Sequence, residues 1–253
     1  MARNLQRRPT LNVKSEAGIG ETEEFMSVAA HDLRNPIAVV RASAQMAQRQ
    51  INRADMVGAQ SRLKSIVEQT DRLSDMLESF LDAARISAGN LPLKLEHVDL
   101  RDVVEVAAER ARNFVGVGVG VGVGVGENSE RPLVISIPDG CVGSWDRTKL
   151  VRAVRALLTN ALQYGDPTAP VRVEATRARS RVRLIVRGGG PGPEGDEASH
   201  LFELFFRGPS AAEAGQAGSG LGLFTARGIA RLHGGEVRRL DGDRFEIELP
   251  LVD

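Results

Sequence analysis

FMSVAAHDLRNPIAVV, residues 25–40, lies within a run whose apolar positions Phe25, Ala29, Leu33, Ile37, Val40, Ala44, Ala47 and Ile51 recur at steps of three or four. That spacing predicts one stripe of a long amphipathic helix from Glu21 to about Gln50. His31 is two positions from both Ala29 and Leu33, roughly 200° around a helix that turns about 100° per residue, so it should point away from the stripe. Asn35 falls one turn later on nearly the same face. Pro36 removes a backbone donor in mid-helix and is expected to bend or loosen it beside the histidine.

A second stripe, Leu63, Ile66, Thr70, Leu73, Leu77, Phe80 and Ala84, alternates the same steps from Gln60 to about Ala88, and Gly89-Asn90 with Pro92 behind it supplies a stop. Two helices alone bury little surface. Residues 21–92 are therefore expected to be a helical hairpin that pairs with a second copy into a dimeric four-helix bundle. Residues 1–20 lack the apolar stretch of a secretory signal and are expected to be a flexible lead-in.

Beyond Pro92 the pattern changes to short strands and separate helices. Helices are expected at about Arg101–Asn113 and Asp146–Gln163. Strands are expected at Leu133–Ile137, Val142–Trp145, Val171–Ala175, Val182–Val186, Gly235–Leu240 and Arg244–Leu249, the last two joined by the hairpin signal Asp241-Gly242-Asp243. The whole of 93–253 reads as an α/β sandwich. Residues 116–126 alternate Gly and Val. With one face bare and a high ordering cost, they read as a low-complexity insertion. The Gly-, Pro- and Ala-rich stretch 188–218 is longer than compact domains usually carry without a function, and reads as a lid.

Composition narrows the function without naming it. The chain has 253 residues, 42% hydrophobic and 26% charged, with 33 basic and 33 acidic side chains. Its balance gives no bulk attraction to nucleic acid or membrane surfaces. A single cysteine, Cys141, excludes an intrachain disulfide and a multi-cysteine zinc site, consistent with a cytoplasmic location. The most apolar run, 114–126, is well short of the roughly 20 residues of a spanning helix, so no membrane segment is expected.

Five local motifs carry the chemistry. The HDLRNP run around His31 resembles the H-box of two-component sensor histidine kinases. Residues 145–164 resemble the N-box, 186–193 the G1 box, 201–208 the F-box, and 218–223 the G2 box of the Bergerat-type ATP-binding fold that those kinases share with certain chaperones and type II topoisomerases. The resemblance implies an HisKA-type dimerisation and phosphoacceptor domain followed by a Bergerat-type HATPase domain, with ATP and Mg2+ as cofactors. It implies His31 as the phosphoacceptor, a role chemically open to a neutral imidazole nitrogen, with Asp32 positioned to hold the other ring nitrogen and take its proton. Asn35 would orient a water as in the family's phosphatase motif.

In the ATP domain the resemblance implies Asn160 as the magnesium ligand, its amide oxygen suiting a hard cation. Gly190 and Gly192 match the G1 glycines. Phe202, Phe205 and Phe206 would anchor the lid and Arg207 would contact phosphate. Gly218, Gly220, Leu221 and Gly222 would form the phosphate cradle at a helix start. Three positions depart from the family pattern: Ala156, where asparagine is frequent; Gln163, where lysine is usual; and Gly188, where the aspartate that accepts the adenine amino hydrogen bond would stand. Losing that acceptor should reduce affinity and base selectivity, and restoring Gly188→Asp should then raise ATP affinity.

Two functions follow from the resemblance. One is a working kinase that autophosphorylates His31 and passes the phosphoryl group to an aspartate in a response-regulator receiver domain. The other is a degenerate relative serving as a regulator-docking or phosphatase module with weak ATP binding. A chaperone- or topoisomerase-like ATPase leaves the HDLRNP helix pair unexplained. The sensor is expected to be a separate protein or a segment outside this chain.

Overall fold

The computed structural model describes residues 13–116, 131–193, 195, 197–208 and 219–252. Helix α1 (Val13–Asn52) and helix α2 (Met56–Ser87) form the expected hairpin. α1 begins before the predicted Glu21, so residues 13–20 are helical rather than a flexible lead-in; residues 1–12 lie outside the described residues. The helix continues through Pro36, whose missing N–H leaves the Asp32 carbonyl without its intrahelical donor.

The turn between the helices is set locally. Ala54 adopts a positive φ of 60°, and the Asp55 N–H closes on the Gln50 carbonyl at 2.9 Å. The Asp55 carboxylate then accepts from the Gly58 N–H at 2.9 Å and caps α2. Buried positions in the hairpin include Ala29, Ser43, Ala47, Gln69, Phe80 and Ala83. Ile37, Ile51, Leu63 and Leu77, all in the stripes read from the sequence, are instead about half exposed. Each helix carries two overlapping apolar strips, one turned inward and one outward, and sequence spacing alone merges them.

The second unit is built on a five-stranded sheet ordered β2-β4-β5-β7-β6. Its strands are β2 (Leu133–Ser136), β4 (Val171–Ala178), β5 (Arg181–Arg187), β6 (Glu236–Arg239) and β7 (Phe245–Pro250). β2 and β4 are parallel and the other neighbours antiparallel. A separate antiparallel pair joins β1 (Glu96–Asp99) to β3 (Val142–Trp145). Helices α3 (Leu100–Gly116), α4 (Arg147–Tyr164) and α6 (Gly222–Leu232) complete the sandwich, with α5 (Glu197–His200) a single turn between β5 and α6. α3 takes in Gly116, and residues 117–126 of the Gly-Val repeat lie outside the described residues. Among the described residues no helix is long and apolar enough to cross a membrane.

The core follows from the period of each element. Val171 and Val173 of β4, Val182, Leu184 and Val186 of β5, and Ile247 and Leu249 of β7 alternate inward onto Val103 and Ala107 of α3, Leu150, Leu157 and Leu158 of α4, and Ile229 of α6. Each fully buried Leu, Ile or Val contributes about 1.5–3 kcal/mol relative to exposure. Trp145 is fully buried and its indole N–H finds the Pro250 carbonyl at 3.0 Å. The register also fixes a detail important for the site. Val186 lies opposite Phe245, so residue 188, two beyond the one, faces residue 243, two before the other.

The hairpin docks on this unit through both apolar and charged contacts. Phe80, Ala83 and Ala29 cluster with Leu221, and Leu204, Phe205 and Phe224 pack against them. Beside that cluster, Asp75, Glu78 and Asp82 of α2 meet Lys149, Arg152 and Arg155 of α4. Asp82 accepts from Lys149 at 2.6 Å and Arg152 at 2.5 Å; Arg152 also pairs with Glu78 and Arg155 with Asp75.

Candidate active site

α4 starts where Asp146 caps it, accepting from the Lys149 N–H at 3.0 Å and, from outside the helix, from the Lys94 N–H at 2.9 Å. The helix therefore enters the domain at a fixed angle. Arg152, Arg155, Ala156, Thr159, Asn160 and Gln163 recur on one face, and all line a cavity of about 630 Å³ between the hairpin and the sandwich. The cavity is bounded on the hairpin side by Asp32, Asn35 and Arg72. On the sandwich side it is bounded by Gly192, Arg207, Gly220, Leu221, Gly222 and Asp243.

The structure thus brings most of the residues singled out in the sequence to one space. Asp32 and Asn35 share it with Asn160, Arg207 and the glycines of the G2 motif. Gly190 is within the loop that shapes one end, its N–H bonded to Asp243 at 2.9 Å. The side chain of His31 lies outside the described residues, although the α1 backbone carries it between Ala29 and Asp32; Gly218 is likewise outside them.

The three phenylalanines of the F-box have separate duties. Phe202 packs edge-on against Phe245, with ring centroids 6.3 Å apart, beneath the Arg227 guanidinium at 5.0 Å. Phe205, at φ 63°, joins the cluster with the hairpin. Phe206 borders the cavity and lies 5.7 Å from the His200 ring. Burial pushes the Tyr164 hydroxyl up from its ordinary pKa, opposed by the nearby Arg207 guanidinium. This puts Arg207 beside the cavity end of α4.

His233 is structural, as its place at a helix end suggests. Its Nδ1–H donates to the Ile229 carbonyl at 2.8 Å and its Nε2 accepts from the Asp146 N–H at 2.9 Å. Burial lowers its pKa, ahead of the opposing pull of the Ile229 carbonyl and Asp146, and the neutral tautomer satisfies both bonds.

Two important residues were not recognised from sequence. Arg131, 3% exposed, spends its five guanidinium N–H groups on carbonyls: Ala169 twice at 3.1 and 3.0 Å, Ala161 and Leu162 at 3.1 Å, and Gly188 at 2.7 Å. A cation is thereby held at the C-terminus of α4, where the helix leaves carbonyls without partners. Burial lowers its pKa, and the nearby carboxylates of Asp166 and Asp243 act against that. Asp243 is the second: its Oδ2 accepts from the N–H groups of Gly188 and Gly190 at 2.8 and 2.9 Å. Nothing local in the sequence marks either, since each acts on a segment tens of residues away.

Gly188 itself has no room for a side chain. A Cβ there would fall 2.4 Å from the Ala161 carbonyl oxygen and 3.0 Å from both Gly165 Cα and Asp243 Oδ2. The backbone of the G1 loop touches the end of α4 through two glycines, 165 and 188.

The helical hairpin and the α/β sandwich thus share one cavity, and the family matches follow that division. Residues 21–89 match the His Kinase A (phospho-acceptor) domain family, and residues 145–253 match the histidine kinase-, DNA gyrase B- and HSP90-like ATPase family. The signal transduction histidine-protein kinase AfsQ2 of Streptomyces coelicolor is 30% identical over 98% of this chain and 45% of its own length. The swarming motility regulation sensor protein RssA of Serratia marcescens is 31% identical over 95% and 49%. In structure, the Acinetobacter baumannii histidine kinase AdeS superposes with a TM-score of 0.57 over 88% of this chain and 98% of that one, at 20% identity, a likeness of fold. The chain belongs to the two-component sensor histidine kinase family, and spans about half the length of the curated relatives it matches.

Proposed function

We propose that this chain is the kinase core of a two-component system: it binds ATP in the sandwich, transfers the γ-phosphoryl group to His31, and passes it on to an aspartate of a response-regulator receiver domain. The observation that carries this is the shared cavity, which Asp32 and Asn35 of the hairpin line together with Asn160, Arg207, Gly220 and Gly222. A phosphoryl donor held in the sandwich would there face the turn of α1 that bears the acceptor.

The roles follow from the groups present. Backbone N–H groups at the start of α6, with glycines at 220 and 222 allowing close approach, suit the phosphate oxygens. Arg207 offers a cation to charge spreading over the migrating group. The donor set fits Mg2+: one amide oxygen from Asn160 at the cavity suits a hard ion whose other positions would be filled by phosphate oxygens and water. When bound, it would neutralise the phosphate charge. Asp32 takes or holds the imidazole proton so that a neutral ring nitrogen attacks. In the phosphatase reaction Asn35 would orient a water to attack the phosphoryl group on the regulator's aspartate, releasing inorganic phosphate and the free carboxylate.

The outward strip of Ile37, Ile51, Leu63, Leu77 and Leu81 is suited to pairing with a second copy into a four-helix bundle. ATP chemistry with a reduced, buried Cys141 accords with the cytoplasmic side.

Incubating the purified chain with γ-labelled ATP and Mg2+ tests the proposal. Label is expected on the wild-type protein, none on His31→Ala, and at least about a hundredfold less on Asn160→Ala. A folded, ATP-binding protein that takes no label would favour the docking or phosphatase reading instead.

A further inference from the structure

We infer that Asp243 is the residue that reads the adenine base, supplying from the β6–β7 hairpin the acceptor that Gly188 lacks; this rests on the ATP-binding reading above. Three observations converge on it. The register that sets Val186 against Phe245 brings position 243 to the G1 loop. Asp243 lines the cavity. One of its oxygens, Oδ2, is held by the N–H groups of Gly188 and Gly190 at 2.8 and 2.9 Å. Its Oδ1 has no hydrogen-bond partner among the described residues.

The carboxylate is also preorganised. The hairpin that carries it is fixed to the G1 loop: the Arg239 guanidinium donates to the Gly242 carbonyl at 2.9 Å and the Pro193 carbonyl at 2.7 Å. Gly192, at φ +74°, lies so close to the hairpin that a Cβ would fall 2.1 Å from the Gly242 oxygen. The aspartate expected at Gly188 could not occupy the same space, because its Cβ would meet the Ala161 carbonyl and Asp243 itself. One carboxylate serves this end of the cavity, and it comes from a different strand.

A fixed carboxylate oxygen accepts from the exocyclic amino group of adenine and repels the carbonyl that guanine or hypoxanthine presents at the same ring position. The site should therefore distinguish ATP from inosine triphosphate, which carries an oxo group in place of that amino group and a proton on the neighbouring ring nitrogen. An asparagine at 243 keeps an oxygen for the two backbone N–H groups and turns an amide N–H₂ toward the base, which inverts the preference.

Isothermal titration of the full chain with ATP and with inosine triphosphate decides the matter, with a thermal melt to confirm that the variant is folded. The wild type is expected to favour ATP by at least about tenfold. Asp243→Asn should weaken ATP by a similar factor and leave inosine triphosphate unchanged or tighter. Equal loss of both nucleotides in the variant would make Asp243 only a clamp for the loop and overturn the inference. Equal affinity of the wild type for the two nucleotides would overturn it without any variant. Failure of the wild type to bind ATP at all would overturn the ATP-binding reading, and this one with it.

Discussion

At position 188 the requirement is for the absence of a side chain. The carbonyl of Ala161, the Cα of Gly165 and the carboxylate of Asp243 surround the site where a Cβ would stand, and Arg131 grips the Gly188 carbonyl from the other side at 2.7 Å. Motif logic says that Gly188→Asp should strengthen ATP binding. The packing argues the reverse: the new side chain must displace the end of α4 and place a second carboxylate beside the first. Overpacking of this kind costs about 1–3 kcal/mol, and for a chain of this size each kcal/mol lowers Tm by about 2–4 °C. Gly188→Asp is therefore expected to melt several degrees lower and bind ATP more weakly, as read by a thermal melt and a nucleotide titration. A variant that binds ATP more tightly would mean that the loop can open around the new group and that the motif, not the packing, governs this position.

Between elements, the dominant polar contact is the charged seam of α2 and α4. The Asp82 side chain is 2% exposed between Lys149 and Arg152, themselves 13% and 14% exposed. Removing the anion takes from Lys149 its carboxylate and leaves Arg152 with Glu78 alone, a loss of at most about 3–5 kcal/mol. Asp82→Ala should thus release the hairpin from the sandwich and speed amide exchange along the docked half of α2, while the core strands β4, β5 and β7 stay protected. Unchanged exchange in α2 would show that the Phe80–Leu221 cluster and the remaining Glu78 and Asp75 pairs hold the hairpin without Asp82. This seam also marks where sequence reading stops. Strands such as β4 were legible because Val171, Val173 and Ala175 alternate with polar residues and bury one face. Gly220, Gly222 and Asn160 drew notice because each lies within a contiguous motif, and all three line the cavity. The acidic positions on α2 and the basic ones on α4 carry no such signal, since nothing in the spacing says that the two faces meet. Asp243 was hidden for the same reason: its partners, Gly188 and Gly190, are reached only through the β5–β7 register.

At the scale of the whole molecule, the proposed kinase reading leaves open which subunit's ATP would reach which His31, because the direction in which a bundle's hairpin turns is not encoded in its stripes. Here the turn is fixed by Ala54 at positive φ and by the Asp55 cap. Asp32 and Asn35 of α1 then line the same cavity as Asn160 and Gly220 of their own chain. On the proposed kinase reading, this arrangement would run phosphoryl transfer within one subunit. Mixed dimers separate the alternatives in both directions. A dimer of a His31→Gln chain with an Asn160→Ala chain has one intact nucleotide site and one intact acceptor on different subunits, so transfer within a subunit leaves it unlabelled. A dimer of a wild-type chain with a chain carrying both substitutions has both on one subunit and should label at about half the wild-type level, on the wild-type chain alone. The opposite pattern, label on the Asn160→Ala chain of the first dimer and none on the second, would mean that the acceptor turn must leave its own sandwich and reach the neighbour's. The Asp82 seam would then hold a resting state that has to break before transfer.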